Sequence, residues 1–272
     1  MAWPKRGWLY RKRCGSNGHF SVGTLKMTDE SLILANIIAE KKVSQGSLDV
    51  LTFVKVDEKG NFRDEKRTYA QLWDHGQKVA SCLKNEGMIE GESFAIIMQN
   101  HPEFVDTMVG SSILGTIFVP IDPRTKGKKL AFMLKHADCK GAVLGDYALD
   151  NLTEVIDDCP KLEWLWIVGS KSNTPLRSRH FTDILEFESE EMEIQVTDAE
   201  SPMQMLYTSG TTGDPKAILS PYSRFGFVAS LGEAFGLGPE DRPYTGLSLT
   251  HANAQLITLG TTLFMGLRAV FS

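Results

Sequence analysis

Apolar positions along the chain change their spacing several times, and each change marks an element. Leu34, Ile37, Ile38 and Lys41 fall at i, i+3, i+4 and i+7. Three of the four are apolar, the spacing of an amphipathic helix over residues 31–41, opened by Thr28, Asp29, Glu30 and Ser31. Residues 50–56 alternate around Phe53 and Val54 and run into the turn residues Glu58, Lys59, Gly60 and Asn61. That pattern predicts a β-hairpin returning toward Arg67. A second helix opens at Thr68-Tyr69-Ala70-Gln71-Leu72, carries Leu72, Gly76, Val79, Ala80 and Leu83 on one face, and stops at Gly87.

From there short apolar strands and helices alternate. Strands are predicted at 93–98, 117–121, 141–144 and 164–168, separated by helices at 103–115, 126–136 and 147–157, with Pro102 at a first helical position. Such alternation indicates right-handed βαβ crossovers: an α/β fold of mainly parallel sheets with flanking helices. Residues 169–180 are a polar loop. Residues 181–200 hold eight acids and no Lys or Arg, the pattern of a solvated connector. Strands follow at 203–207, 217–219, 242–249 (with a turn) and 267–271, and helices at 223–235 and 252–264. No internal repeat is present. The last strand has no flanking segment after it, so the sequence is expected to be the truncated piece of a larger fold. Met205, Leu206, Ile257, Leu263, Phe264 and Val270 are expected to lack cover in it, and the chain to associate in solution.

Composition narrows the function classes. With 42% hydrophobic and 23% charged residues the chain is an ordinary globular one. It has no apolar run of the ~18–20 residues that a membrane span requires. Cys14, Cys82, Cys139 and Cys159 are scattered without metal-ligand spacing, which favours a reduced, cytoplasmic setting and no metal site built from them. Residues 1–26 hold six Lys/Arg and no acid; residues 27–272 hold 23 Lys/Arg against 34 Asp/Glu, a net −11. So acidic a body disfavours nucleic acid as a partner. The basic stretch 1–26 has no regular period and no apolar core of a secretory signal. It is expected to be a disordered or non-native extension before a start at Met27, a transit peptide being the alternative.

The chemistry concentrates at residues 207–216, Tyr-Thr-Ser-Gly-Thr-Thr-Gly-Asp-Pro-Lys. Every residue from Thr208 to Gly213 is Gly, Ser or Thr. Glycines let a backbone approach an anion, successive N–H groups form a concave nest, hydroxyls add donors, and Lys216 adds a point charge. This is not a Walker loop, because no Gly-Lys-Ser/Thr follows the required gap.

This stretch resembles the signature loop of the adenylate-forming (AMP-binding) enzymes, which include acyl- and aryl-CoA synthetases, luciferases and peptide-synthetase adenylation domains. The match is unbroken from Tyr207 to Lys216, though Ala217 and Pro221-Tyr222 depart from the usual continuation. Residues 68–72 and 114–123 are similar to two earlier blocks of the family and have a structural character, so no chemistry is assigned to Tyr69 or Asp122. The resemblance spans residues 28–272 and implies part of the larger, N-terminal domain of the adenylate-forming fold. It further implies that Thr208, Ser209, Gly210, Thr211, Thr212 and Gly213 hold ATP phosphates, with Lys216 as the catalytic cation.

A second site lies at Leu247-Ser-Leu-Thr-His251. A histidine at a strand-to-helix junction can simply cap the helix. In the family's CoA ligases a Pro-x-x-His or near variant occupies this place and its last residue borders the acyl group. Here Ser248 stands for the proline and His251 is kept. No acid is present to hold a substrate amine, which favours a carboxylic acid without an α-amino group. The implied activity is acid–CoA ligation with ATP, Mg²⁺ and CoA, the magnesium ligand, ribose aspartate, hinge and catalytic lysine of the small domain lying outside this sequence. The competing classes are a degenerate nucleotide-binding module and an adenylating enzyme without CoA transfer.

Overall fold

The computed structural model describes residues 8–13, 20–25, 28, 30–57, 59–170, 173–188, 190–208 and 215–272. Strands β1 (Trp8–Arg13) and β2 (Phe20–Leu25) pair antiparallel as a two-stranded sheet of their own. The sequence pattern did not announce this pairing. Its residues include the strand formers Trp8, Tyr10, Phe20 and Val22.

Helix α1 (Leu34–Gln45) buries Leu34, Ala35, Ile37 and Ile38, the expected face. Strands β3 (Asp49–Val56) and β4 (Phe62–Thr68) form the expected hairpin, with Gly60 at φ +81° in its turn. Helix α2 (Tyr69–Asn85) starts with a capping box: Gln71 N donates to Thr68 Oγ1 (3.2 Å) and Thr68 N donates to Gln71 Oε1 (2.9 Å). The βαβ series follows as β5 (Ser93–Ile97), α3 (Pro102–Leu114), β6 (Ile117–Pro120), α4 (Gly127–His136), β7 (Gly141–Gly145), α5 (Leu149–Thr153) and β8 (Trp164–Val168). Then come β9 (Arg177–His180), α6 (Phe181–Leu185), β10 (Pro202–Thr208), β11 (Lys216–Pro221), α7 (Tyr222–Ala229), β12 (Tyr244–Thr245), α8 (Gly260–Met265) and β13 (Ala269–Phe271).

Seven strands make one sheet in the order β11-β10-β6-β5-β7-β8-β9, parallel except for the β10–β11 pair. The other sheet is β12-β13-β3-β4. One face of the large sheet packs with α1, α2, α3, α7 and α8 in a core containing Trp164, Trp166, Phe104 and Phe225. The opposite face packs α4 and α5 around Leu130, Leu134, Leu149 and Leu152. Helices α2 and α3 cross closely because Gly76 and Gly110 lie at the contact. A Cβ on Gly110 would come within 2.3 Å of Val79 Cγ1.

Buried charge joins β4 of the smaller sheet to helix α3. Asp106 on α3, fully enclosed, accepts from Arg67 Nε on β4 (3.0 and 3.3 Å), and His75 Nδ1 lies 3.1 Å away. Burial works against the Arg67 charge, but the neighbouring Asp106 carboxylate outweighs it and raises its pKa.

Several expectations change. The polar 169–180 stretch ends in strand β9, parallel to β8, with Arg177 and Arg179 paired to Glu86. The helix expected over 147–157 breaks into two 3-10 turns around short α5. There the Thr153 hydroxyl donates to Leu149 O (2.9 Å), the i−4 bond by which threonine disturbs a helix, and Asn151 Nδ2 reaches out of the segment to Pro123 O (3.2 Å). The helix expected at 223–235 ends at Ala229, and of 242–249 only Tyr244–Thr245 is strand.

The acidic connector is clasped to α2: Trp73 Nε1 donates to Glu191 (3.0 Å), and Gln77 bonds both main-chain groups of Met192. Strand β13 pairs on both sides, with β12 and β3. Of the six residues expected to lack cover, Leu206 and Leu263 are buried, Met205, Phe264 and Val270 are partly so, and Ile257 is exposed. No helix among the described residues is long and apolar enough to cross a membrane.

Candidate adenylate-forming site

Strands β10, β6 and β5 are neighbours and parallel, so their carboxyl ends share one rim. Strands β6 and β7 lie on opposite sides of β5, and ligands of open α/β sheets bind where the order reverses in this way. The signature stretch is delivered at that rim. Strand β10 ends at Thr208, opposite Lys216, the first residue of antiparallel β11, with Thr208 Oγ1 3.4 Å from Lys216 O. Both side chains are exposed at the mouth of the turn. Ser209, Gly210, Thr211, Thr212 and Gly213 lie outside the described residues.

One anchor of this hairpin was not singled out from the sequence. The Tyr207 hydroxyl donates to Met133 O (3.0 Å) and lies 2.9 Å from His136 Nδ1, both on α4. Its ring meets the imidazole edge to face at 5.9 Å. Burial raises the phenol pKa, keeping it a neutral donor. The strand that carries the signature is therefore fixed to the far side of the sheet immediately before it.

The second predicted residue reaches the same rim. His251 is exposed at the entry to the helical stretch that ends in α8. Two residues past β6, the Asp122 carboxyl is held below the usual range chiefly by Arg124, with His251 the smallest contributor. Arg124 Nε and Nη2 donate to Asp122 at 3.0 and 2.7 Å, so this carboxylate is engaged locally. His251 N donates to Ser248 O (2.9 Å), and His251 O accepts from Gln255 N (3.3 Å). The helix then runs through a π-helical segment, Ala254–Leu259, before α8. Such widened turns are frequent at functional sites.

The sheet thus brings the Thr208/Lys216 hairpin and His251 to one edge. A mixed polar cleft of about 520 Å³ lies elsewhere, lined by Lys42, Trp73, Gln77 and Glu191. Among the described residues no group of three or more His, Cys, Asp or Glu is placed to hold a metal ion.

Comparison with known proteins agrees with this geometry. The family model described as AMP-binding enzyme matches residues 47–272. The medium/long-chain-fatty-acid–CoA ligase FadD17 of Mycobacterium marinum is 28% identical over 202 residues, covering 72% of this chain and 36% of that protein. The 4-hydroxybutyrate–CoA ligase 2 of Metallosphaera sedula is 29% identical, covering 63% of this chain and 32% of that protein. The chain therefore matches about a third of the length of these relatives. In fold, it is similar to the anthranilate CoA ligase AuaEII solved with anthranoyl-AMP (TM-score 0.78, 20% identity, 87% of this chain and 44% of that one). With its signature stretch, its sheet order and a match from residue 47 to residue 272, this chain belongs to the AMP-binding, adenylate-forming enzyme family.

Proposed function

We propose that the protein bearing this chain is an ATP-dependent acid–CoA ligase. The observation that supports the reading is the shared rim: the Thr208/Lys216 hairpin opens at the carboxyl end of β10, and the segment leading to His251 is bonded to Asn100 just past the carboxyl end of β5, two strands away in the same sheet. ATP would supply the leaving group. A substrate carboxylate oxygen attacks its α-phosphorus, the bond to pyrophosphate breaks, and an acyl-adenylate results. The CoA sulfur then attacks the acyl carbonyl and AMP departs with the bonding pair.

The chain's own contribution to the first step is position and charge. Thr208 and the Ser209–Gly213 backbone would hold the β,γ-phosphates. Lys216, exposed and without an ion pair among the described residues, would offset charge on the departing pyrophosphate. Magnesium would neutralise the triphosphate when bound; no residue is assigned to it. His251 would border the acyl group, and the absence of a neighbouring acid on its segment supports an acid without an α-amino group.

Trapping with hydroxylamine tests the reading. Incubation with ATP, Mg²⁺ and a panel of fatty and aromatic acids should give acyl hydroxamate, and added CoA should divert it to thioester. His251→Ala should alter the order of preferred acids. Hydroxamate without thioester would leave an adenylating enzyme that lacks CoA transfer; no hydroxamate with any acid would leave a non-catalytic nucleotide-binding module.

A further inference from the structure

The His251 segment is held by one side chain far away in sequence. Asn100 lies in the short loop between β5 and α3, and its amide meets three main-chain groups of two other segments. Its Oδ1 accepts from Leu249 N at 2.7 Å, while its Nδ2 donates to Leu247 O at 3.1 Å and to Ser272 O at 3.0 Å. Acceptor meets N–H and donor meets carbonyls, so the match is specific to an amide. The carbonyl of Leu249, a fully buried residue, is taken by Gln255 Nε2. The peptide two residues before His251 is thus gripped from both sides.

The support is itself fixed. The neighbouring Gln99 N donates to the Tyr147 hydroxyl at 2.7 Å, and the His101 ring stacks on Tyr147 at 6.0 Å. Pro102 then starts α3. A side chain locked by its own surroundings is what holds a functional segment to sub-ångström tolerance.

We infer that Asn100 is a positioning residue for the acyl side of the site: it sets the height of the 247–251 segment over the carboxyl end of β5, and with it the placement of His251. The phosphate side is held independently, by Tyr207 of β10 bonding to Met133 and His136 of α4. The two halves of the rim therefore have separate supports and can be perturbed separately. The substrate consequence rests on the ligase reading above; the structural one does not.

The test separates these. Amide hydrogen exchange is measured on the intact chain and on its Asn100→Asp and Asn100→Ala variants. Asn100→Asp keeps the side-chain volume but sets an acceptor against the carbonyls of Leu247 and Ser272. Losing these bonds should speed exchange in residues 245–251 by about tenfold or more, the scale of one to two net hydrogen bonds, with residues 203–208 and 216–221 unchanged. In catalysis both variants should raise the acid KM by about tenfold and leave the ATP KM within twofold. A Leu249 amide that exchanges fast in the unsubstituted protein overturns the inference without any variant, as does unaltered protection in both variants. Equal losses for ATP and acid would also overturn it. If the unsubstituted protein activates no acid, the ligase reading fails and the exchange experiment still decides the role of Asn100.

Discussion

Removing the Asp106 carboxylate should loosen the joint between β4 and α3. Asp106 is fully buried on α3 and Arg67 is 7% exposed at its side chain, so the pair has almost no water to fall back on. Truncation by Asp106→Ala strips Arg67 Nε of its two contacts and leaves a buried cation short of its closest partner. Breaking such a pair typically costs about 3–5 kcal/mol. Arg67 keeps Glu65 at 3.1 Å, but Lys55 shares that carboxylate. The loss should therefore fall near the lower end, about 3 kcal/mol, or a Tm lower by roughly 6–12 °C for a chain of this size. Urea denaturation of the variant and the unsubstituted protein measures it. The double change Asp106→Leu with Arg67→Met should recover most of the loss, because neither residue then carries a charge out of water. A cost under about 1 kcal/mol for Asp106→Ala, or a double variant as unstable as the single one, would refute the argument.

Three further outcomes follow from other parts of the molecule. Gly110→Ala places a Cβ 2.3 Å from Val79 Cγ1 and must push α2 off α3, so it should destabilise by about 1–3 kcal/mol in the same denaturation assay; Gly87→Ala, at φ +85° with open space around it, tests backbone strain alone. Burial, with Lys55 adding to it, lowers the pKa of His101 to about 4, so the unfolded chain binds a proton there that the folded chain resists. Stability should fall as pH drops from about 6.5 to about 4, by on the order of 3 kcal/mol at the acid end, and His101→Phe should flatten that part of the pH profile. Tyr207→Phe removes the hydroxyl that reaches Met133 and His136, so amide exchange in residues 205–208 should rise while that of 245–251 does not.

What the sequence disclosed depended on whether an interaction leaves a periodic trace. The 50–68 hairpin, helix α2 with its Thr68/Gln71 box and the βαβ alternation are local, so spacing exposed them. The signature loop was visible because glycine, hydroxyl and lysine occur together, and a strand was rightly expected just before it, at 203–207. That it joins an antiparallel pair was not read, since strand direction is decided by partners. Strand β9 escaped because Arg177-Ser-Arg-His180 has no apolar alternation; its ladder with β8 and the pull of buried Glu86 hold it instead. Tyr207 and Asn100 were missed for a further reason: their partners lie 71 to 172 residues away in sequence, and a single hydroxyl or amide carries no pattern.

The central claim is that the Thr208–Lys216 hairpin is the phosphate cradle of an acid-activating enzyme, and ATP–pyrophosphate exchange tests it most directly. With the whole protein that bears this chain, labelled pyrophosphate should enter ATP only when a carboxylic acid and Mg²⁺ are both present. Lys216→Ala should slow that exchange by about one to three orders of magnitude, the scale of one preorganised charged donor, with the fold intact by circular dichroism. Exchange at the unsubstituted rate in the Lys216→Ala protein would contradict the account.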